Sequence, residues 1–355
     1  MRFRLRAHAV PRRPAGGVGD ARARVTRGSA RAFACGASAA ALLCAALAAP
    51  RLAAQTQPRL PWIGYLANEP GPDTSATLRA RLAERGWVEG QTVKISHRYA
   101  QGKVELFPGH ADELARLGVD VIVATSAPAI EAARRATRTI PIVMATTDDP
   151  VATGLVASLA RPGGNLTGVT LAAPGLARHR LELLNELAPG AARIAVIWNP
   201  TNPSNAAELR ETEAAARARG LSLVAVPLSA DSERRAALDA IMSARAGGLL
   251  VLADVLTIAR RAELVTFTAR QQIAAVYPLP EFVAAGGLAA YGPSWSDAFG
   301  HVAAAVDRIL RGGTPASLAV ERSTRVELHI SLRAARALKL PVSPALLSRA
   351  QRVVQ

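Results

Sequence analysis

The sequence predicts an α/β protein of two similar lobes, each a parallel sheet covered by helices, and three observations predict it. Strand-like and helix-like runs alternate along the chain from Pro61 onward, the pattern of sheets wrapped by crossover helices. The strand-like runs are short, continuously apolar and rich in β-branched residues, as strands buried on both faces are. Pro189-Gly190 leads into the run from Ile194 much as Pro61 leads into the run from Ile63, and each opens a comparable strand-helix series.

In order, strands are expected at 63–66, 93–96, 119–124 and 142–145 in the first half, and at 194–198, 223–226, 248–252 and 275–277 in the second. Amphipathic segments between them place helices at 76–85, 107–117, 127–136, 176–187, 205–219, 234–244 and 258–271. A further helix is expected over 296–312, ended by Gly312-Gly313.

Ahead of this series, residues 1–31 hold nine arginines against one acid, Asp20, and residues 32–49 form an uncharged Ala/Leu-rich run. That is the layout of a secretory signal, and the apolar run falls short of the roughly 20 strongly apolar residues a membrane span needs. With small residues at Ala53-Ala54 before Gln55, residues 1–54 are expected to be a signal peptide cleaved near Ala54, and the mature protein to be periplasmic. Both cysteines, Cys35 and Cys44, lie in this leader. The mature chain therefore has no disulfide, zinc thiolate or thiol nucleophile, and neither a metal nor a cofactor is expected.

The formal charge of +16 invites a nucleic-acid reading, but residues 1–54 supply nine of those charges. The rest are scattered among glutamates on helical stretches, as in Arg79-Ala-Arg-Leu-Ala-Glu-Arg85, which describes solvated helix faces and no nucleic-acid partner. No GxSxG elbow, P-loop or HExxH motif occurs, and His97, His110, His179, His301 and His329 are isolated from one another in sequence. No catalytic residue is expected, and the chain reads as a non-enzyme.

Ligands of open α/β sheets bind at the carboxyl ends of strands, which directs attention to four loops. Thr125-Ser126-Ala127-Pro128 follows the strongest strand and opens a helix, with Ser126 able to cap it or hold a polar ligand group. Thr147, Asp148 and Asp149 follow the next strand; Asp149-Pro150 predicts a helix over 151–159, stopped by Arg161-Pro162-Gly163-Gly164. In the second half Trp198-Asn199-Pro200-Thr201-Asn202 repeats the layout, with Asn199 offering donor and acceptor together, and Asp254 ends the run 249–253. Tyr277, Glu281, Tyr291 and Trp295 offer aromatic faces and a carboxylate near a rim or hinge.

The segment from Ile140 to Thr170, together with Arg178-His-Arg-Leu-Glu-Leu-Leu184, Ile194-Ala-Val-Ile-Trp-Asn-Pro200, Glu281-Phe-Val-Ala-Ala-Gly-Gly-Leu288, Tyr291-Gly-Pro293 and Glu327-Leu-His-Ile-Ser-Leu-Arg-Ala-Ala-Arg-Ala-Leu338, resembles the ABC-transporter substrate-binding proteins. The resemblance is to their type I periplasmic-binding fold, in the branch of tryptophan- and tyrosine-associated uptake proteins, and runs from Pro61 to Gln355.

It implies two Rossmann-like lobes with parallel sheets joined by a hinge. The first lobe would be residues 55–172 plus 293–321 and the second 173–292 plus 322–355, with crossings near 164–174, 291–293 and 322–325. A small polar ligand, an amino acid or similar carboxylate, would be held by Thr125, Ser126, Thr147 and Asp148 from lobe one and Asn199, Asp254 and Tyr277 from lobe two, with Glu281 and Tyr291 at the hinge and rim. The implied partners are the transmembrane permease subunits of an ABC importer, served by a monomer. A periplasmic sensor for a receptor kinase is the alternative, and an α/β hydrolase the more distant one.

Overall fold

The computed structural model describes residues 59–69, 75–173 and 175–355. The expected signal segment and the proline-rich stretch 70–73 lie outside the described residues.

The first sheet is built in chain order from β1 (Trp62–Ala67), α1 (Ser75–Ala83), β2 (Lys94–Tyr99), α2 (Phe107–Leu117), β3 (Val121–Thr125), α3 (Ala127–Ala136), β4 (Ile142–Thr146) and β5 (Leu166–Thr170). After β5 the chain leaves for the second sheet through α4 (Leu176–Leu187), β6 (Arg193–Trp198), α5 (Pro203–Arg217), β7 (Ser222–Pro227), α6 (Arg234–Ser243), β8 (Gly248–Val251), α7 (Val255–Ala259), α8 (Arg261–Arg270), β9 (Ala274–Tyr277), α9 (Pro280–Ala284) and β10 (Ala289–Pro293). It then returns with α10 (Trp295–Leu310), whose Phe299, Val302, Ala303 and Val306 join the core of the first sheet, and with β11 (Glu321–Arg322) beside β5. A last passage gives β12 (Val326–Ser331), α11 (Leu332–Ala337), α12 (Pro344–Arg349) and β13 (Arg352–Val354) in the second sheet.

The strand orders are β11-β5-β4-β3-β1-β2 and β13-β12-β10-β9-β8-β6-β7. The first is parallel throughout, and in the second only the β10–β12 pair is antiparallel. Both faces of each sheet are covered, which explains the uninterrupted apolar strands. In β3, Val121 and Val123 enter one core while Ile122 and Ala124 enter the other; in β6, Ile194 and Val196 face one side and Ala195 and Ile197 the opposite one. Each such fully buried branched side chain stabilises by about 1.5–3 kcal/mol, and the buried strand hydroxyls of Thr167 and Thr170 are accommodated by bonds to backbone carbonyls.

Several expectations are corrected. Residues 151–159 are turns and not a helix: Asp149 Oδ1 accepts from the N–H of Val151 and Ala152, but Gly154, at φ +71, ends the turn. The helix expected over 258–271 is two, broken at Arg260. β5, β10, β11, β12 and β13 are strands outside the expected set, and β5, β10 and β11 fall at the expected crossings. Glycine hides β5 and β10 from a β-branched pattern. Gly168 sits at φ +134, where a Cβ would collide with the Met144 backbone, and a Cβ on Gly292 would collide with the Pro278 carbonyl. Arg322, expected at the start of the second lobe's tail, pairs with Thr170 in the first sheet, and Pro293 ends a strand of the second.

Candidate functional site

The carboxyl ends of β1, β3 and β4 face the corresponding loops of the second sheet across a cleft, and between them lies a cavity of about 150 Å³. From lobe one it takes Asn68 and Glu69 after β1, Thr125 and Ser126 after β3, and Thr147 and Asp148 after β4. Lobe two contributes Asn202, Asp254 and Arg261, with Glu281 from α9, and Trp295 stands where α10 begins. Ala67, Ala145, Val255, Ile258 and Leu279 supply apolar wall, so one cavity offers both an apolar surface and convergent polar groups, as small-molecule sites do.

Lobe one presents polar atoms without partners. Ser126 is held at φ 140 and makes no side-chain cap bond to α3, so of its two readings, helix cap or ligand contact, the cap is not formed. Its Oγ is buried without a hydrogen-bond partner, as is the Nδ2 of Asn68, whose Oδ1 accepts from the Gly102 N–H at 2.9 Å. A positive φ at a non-glycine residue costs of order 1–3 kcal/mol and gathers at functional sites.

Lobe two is wired internally. Asn202 caps α5, as its place before Pro203 suits it to do. Its Oδ1 accepts from the Ser204 N–H at 2.9 Å, and its Nδ2 donates to Asp254 Oδ2 at 3.1 Å and, across the cleft, to Asp148 Oδ1 at 3.0 Å. Asp254 Oδ1 in turn accepts from the Leu256 N–H, and its Oδ2 also accepts from Asn199 Nδ2 at 3.2 Å. Two further bonds join the lobes: the Asp149 N–H to Ser204 Oγ at 3.1 Å, and Arg261 Nη1 to Glu69 Oε2 at 2.6 Å.

Asp148 is only 5% exposed. Burial pushes its carboxyl above the usual range; hydrogen bonds from Asn202 and Thr146 act the other way, and Asp254 across the cleft adds to the rise. Four carboxylates (Glu69, Asp148, Asp254 and Glu281) line the cavity beside Arg261, and Glu69 holds that guanidinium. The surplus is acidic and suits a ligand carrying a cationic group.

Of the residues singled out from sequence, Thr125, Ser126, Thr147, Asp148, Asp254 and Glu281 line this cavity. Asn199 stands behind it, buried and bonded to Asp254 and Thr201. Tyr277 does not reach it: the ring is fully buried, stacked on Phe282 at 4.8 Å, with its hydroxyl 2.7 Å from Thr268 Oγ1. That burial raises the phenol above its ordinary range. Tyr291 lies within β10, its ring 5.7 Å from that of His179 and its carbonyl accepting from Arg180 Nε, rather than on the rim. Asn68, Asn202 and Arg261 line the cavity without having been assigned a ligand role from sequence. Asn202 carried a signal in its Asn-Pro helix start, Asn68 in following the first strand, and Arg261 none.

Among the described residues no group of three or more His, Cys, Asp or Glu is placed to hold a metal ion, and no helix is long and apolar enough to cross a membrane.

Residues 73–354 match the family described as ABC transporter substrate binding protein. A tyrosine-binding protein of Clostridioides difficile strain R20291 is 32% identical over 162 residues, 45% of this chain and 46% of that protein; the chain thus spans just under half the length of this relative. A conserved domain protein from Vibrio cholerae O1 biovar El Tor superposes with a TM-score of 0.76 at 26% identity, over 83% of this chain and 100% of that one. The ABC domain in complex with L-Trp from Streptococcus pneumoniae gives 0.76 at 23% identity with the same coverage, a likeness of fold. With its two mostly parallel sheets facing across a polar cavity, the chain belongs to the family of ABC transporter substrate-binding proteins and has the type I periplasmic-binding fold.

Proposed function

We propose that this protein is exported, captures an α-amino acid in the interlobe cleft and delivers it to the permease subunits of an ABC importer, acting as a monomer. The two lobes in this reading follow the two sheets, with Pro293 in the second lobe and Arg322 in the first, and a signal peptide ending near Ala54 precedes them. The observation that carries it is the split chemistry of the cavity. Ser126 Oγ and Asn68 Nδ2 are buried donors without partners on lobe one, beside the start of α3, where helix amides and dipole favour a carboxylate. Asp148 and Asp254 line the same cavity, brought together by Asn202, and suit an ammonium.

Thr125, Ser126, Thr147 and Asp148 would bind from lobe one, and Asp254 with Asn202 from lobe two, Asn199 holding Asp254 in place. Trp295 and the aliphatic wall suit an apolar or aromatic side chain, in keeping with relatives described as tyrosine-binding and as complexed with L-Trp. Only the closed form engages both lobes at once, so binding shifts the open-closed population.

A thermal-shift screen of amino acids, small carboxylates, nucleosides and sugars tests this. A ligand at about 100 times its Kd adds roughly 2.7 kcal/mol of stability, and the expected hits are amino acids recovered chemically unchanged. Hits confined to sugars or nucleosides, or a hit converted to product, would overturn the reading. Fractionation of cells making the full chain tests export: the expected product is periplasmic and begins near Gln55, and an uncleaved cytoplasmic chain would contradict it.

A further inference from the structure

Closing the cleft brings carboxylates from opposite lobes to one neutral amide. The Asn202 nitrogen donates to Asp148 Oδ1 of lobe one and to Asp254 Oδ2 of lobe two. Its orientation is set by the opposite end of the same group, because Oδ1 accepts from the backbone N–H of Ser204 and Asn205 as the cap of α5. An amide has two protons to give, and both are committed. Asn202 satisfies lone pairs on the two aspartates but brings no charge.

The surroundings do not supply one. The charged groups bearing on Asp148 are Asp254 at the start of α7 and Glu208 on α5, both acidic. Arg180, the cation beside Glu208, is bonded to it, and Arg261 is bonded to Glu69. Like charges brought together out of water repel far more than they do in it, so approach of the lobes is opposed while both aspartates are ionised.

We infer that the Asp148–Asn202–Asp254 bridge is an electrostatic gate that makes closure depend on a cation, so that the ligand's ammonium is the group read by closure and amine-free molecules of the same shape leave the lobes open. The inference deepens the proposed function and rests on it for the position of the ligand. Protonating Asp148 removes the same repulsion, so acid closes the ligand-free protein. The direction in which burial moves this carboxyl agrees with a group that resists ionisation there.

Small-angle X-ray scattering of the ligand-free protein is the test, closure being a fall in the radius of gyration. Asp148→Asn, nearly isosteric and neutral, is expected to have the smaller radius at neutral pH. The wild type is expected to reach that radius only on acidification from neutral pH toward the ordinary aspartate value of about 3.9, a response that Asp148→Asn lacks. Asn202→Asp keeps the helix cap, since Asp caps as well as Asn, but replaces the donor with a third carboxylate; it is expected to melt below the wild type because the new carboxylate faces Asp254 within its own lobe, and, while folded, to hold the larger radius at neutral pH. Equal radii for wild type and Asp148→Asn at neutral pH, or an Asn202→Asp protein more compact than wild type, overturn the gate. The scattering arms need no ligand and are therefore separable from the capture reading. Amino acids that stabilise the protein while Asp148→Asn leaves the radius unchanged would leave capture standing and remove the gate; compaction of Asp148→Asn with no amino-acid hit would do the reverse.

Discussion

The two walls of the cleft differ in how completely their polar groups are satisfied. On lobe two, Asn199, Asn202, Asn205 and Asp254 hold one another: the Asn199 N–H donates to Asn205 Oδ1, Asn205 Nδ2 donates to the Ala253 carbonyl, and both Asn199 and Asn202 donate to Asp254. On lobe one, Ser126 Oγ and Asn68 Nδ2 have no partner, and Ser126 carries a positive φ as well. A buried polar group left unsatisfied costs about 1–3 kcal/mol. Lobe two therefore meets a ligand as a finished surface, while lobe one holds donors whose cost a ligand can remove. Substitutions on lobe two should register mainly in stability, and those on lobe one mainly in affinity.

The largest expected effect comes from breaking the finished wall. Asp254→Ala removes the cap of α7, leaves the buried Asn199 amide without its acceptor and takes one of two acceptors from Asn202, and we predict a loss of about 2–3 kcal/mol in ligand-free stability. Urea denaturation reads this directly, and a loss below about 1 kcal/mol would mean that the network does not act as a unit.

Asp148 sharpens the comparison through pH. Burial raises its folded-state carboxyl above the ordinary aspartate value of about 3.9, so folding favours proton uptake. Its contribution to ligand-free stability is full below the ordinary value and is lost as pH rises through the raised one. An ammonium ligand needs the ionised form, so affinity runs in the opposite sense and strengthens across the same window. Calorimetric titration from acid to neutral pH should show affinity rising in the wild type. In Asp148→Asn it should be flat and at least about tenfold weaker at neutral pH, the loss of one charge-assisted hydrogen bond. Parallel pH slopes in the two proteins would sink the assignment.

On lobe one, Ser126→Gly separates stability from binding. Glycine accepts φ 140 without strain, so ligand-free stability should rise by about 0.5–1 kcal/mol. The missing hydroxyl should weaken binding by about five- to tenfold. Thermal unfolding and titration of the same sample check both signs, and a variant that loses stability as well would show that Ser126 supports the fold.

Tyr277→Phe gives the smallest change. It should cost about 1 kcal/mol for the bond to Thr268 and leave affinity at the wild-type value. A tenfold fall in affinity by fluorescence titration would return Tyr277 to the cleft.

What could be read from the chain and what could not divide along physical lines. Buried strands, their order and the loops at their carboxyl ends were legible because continuous apolar runs such as residues 142–145 and helix starts such as Asn202-Pro203 are local signals, set by backbone preferences and burial over a few residues. Thr125, Ser126, Thr147, Asp148 and Asp254 followed from their place after those strands. β5 and β10 escaped because Gly168 and Gly292 serve a close approach of neighbouring backbone that sequence does not display. Tyr277 was misplaced because occupying a strand end does not say which way the ring turns; packing against Phe282 and Thr268 decided that.

The sequence by itself determined an α/β chain of two comparable halves, with polar loops where a ligand would lie. Only the tertiary structure decided that Asn202 stands between Asp148 and Asp254, more than fifty residues away on either side. Pattern along a chain encodes burial and local backbone geometry, whereas a hydrogen bond across a cleft exists only once two separately folded lobes have met.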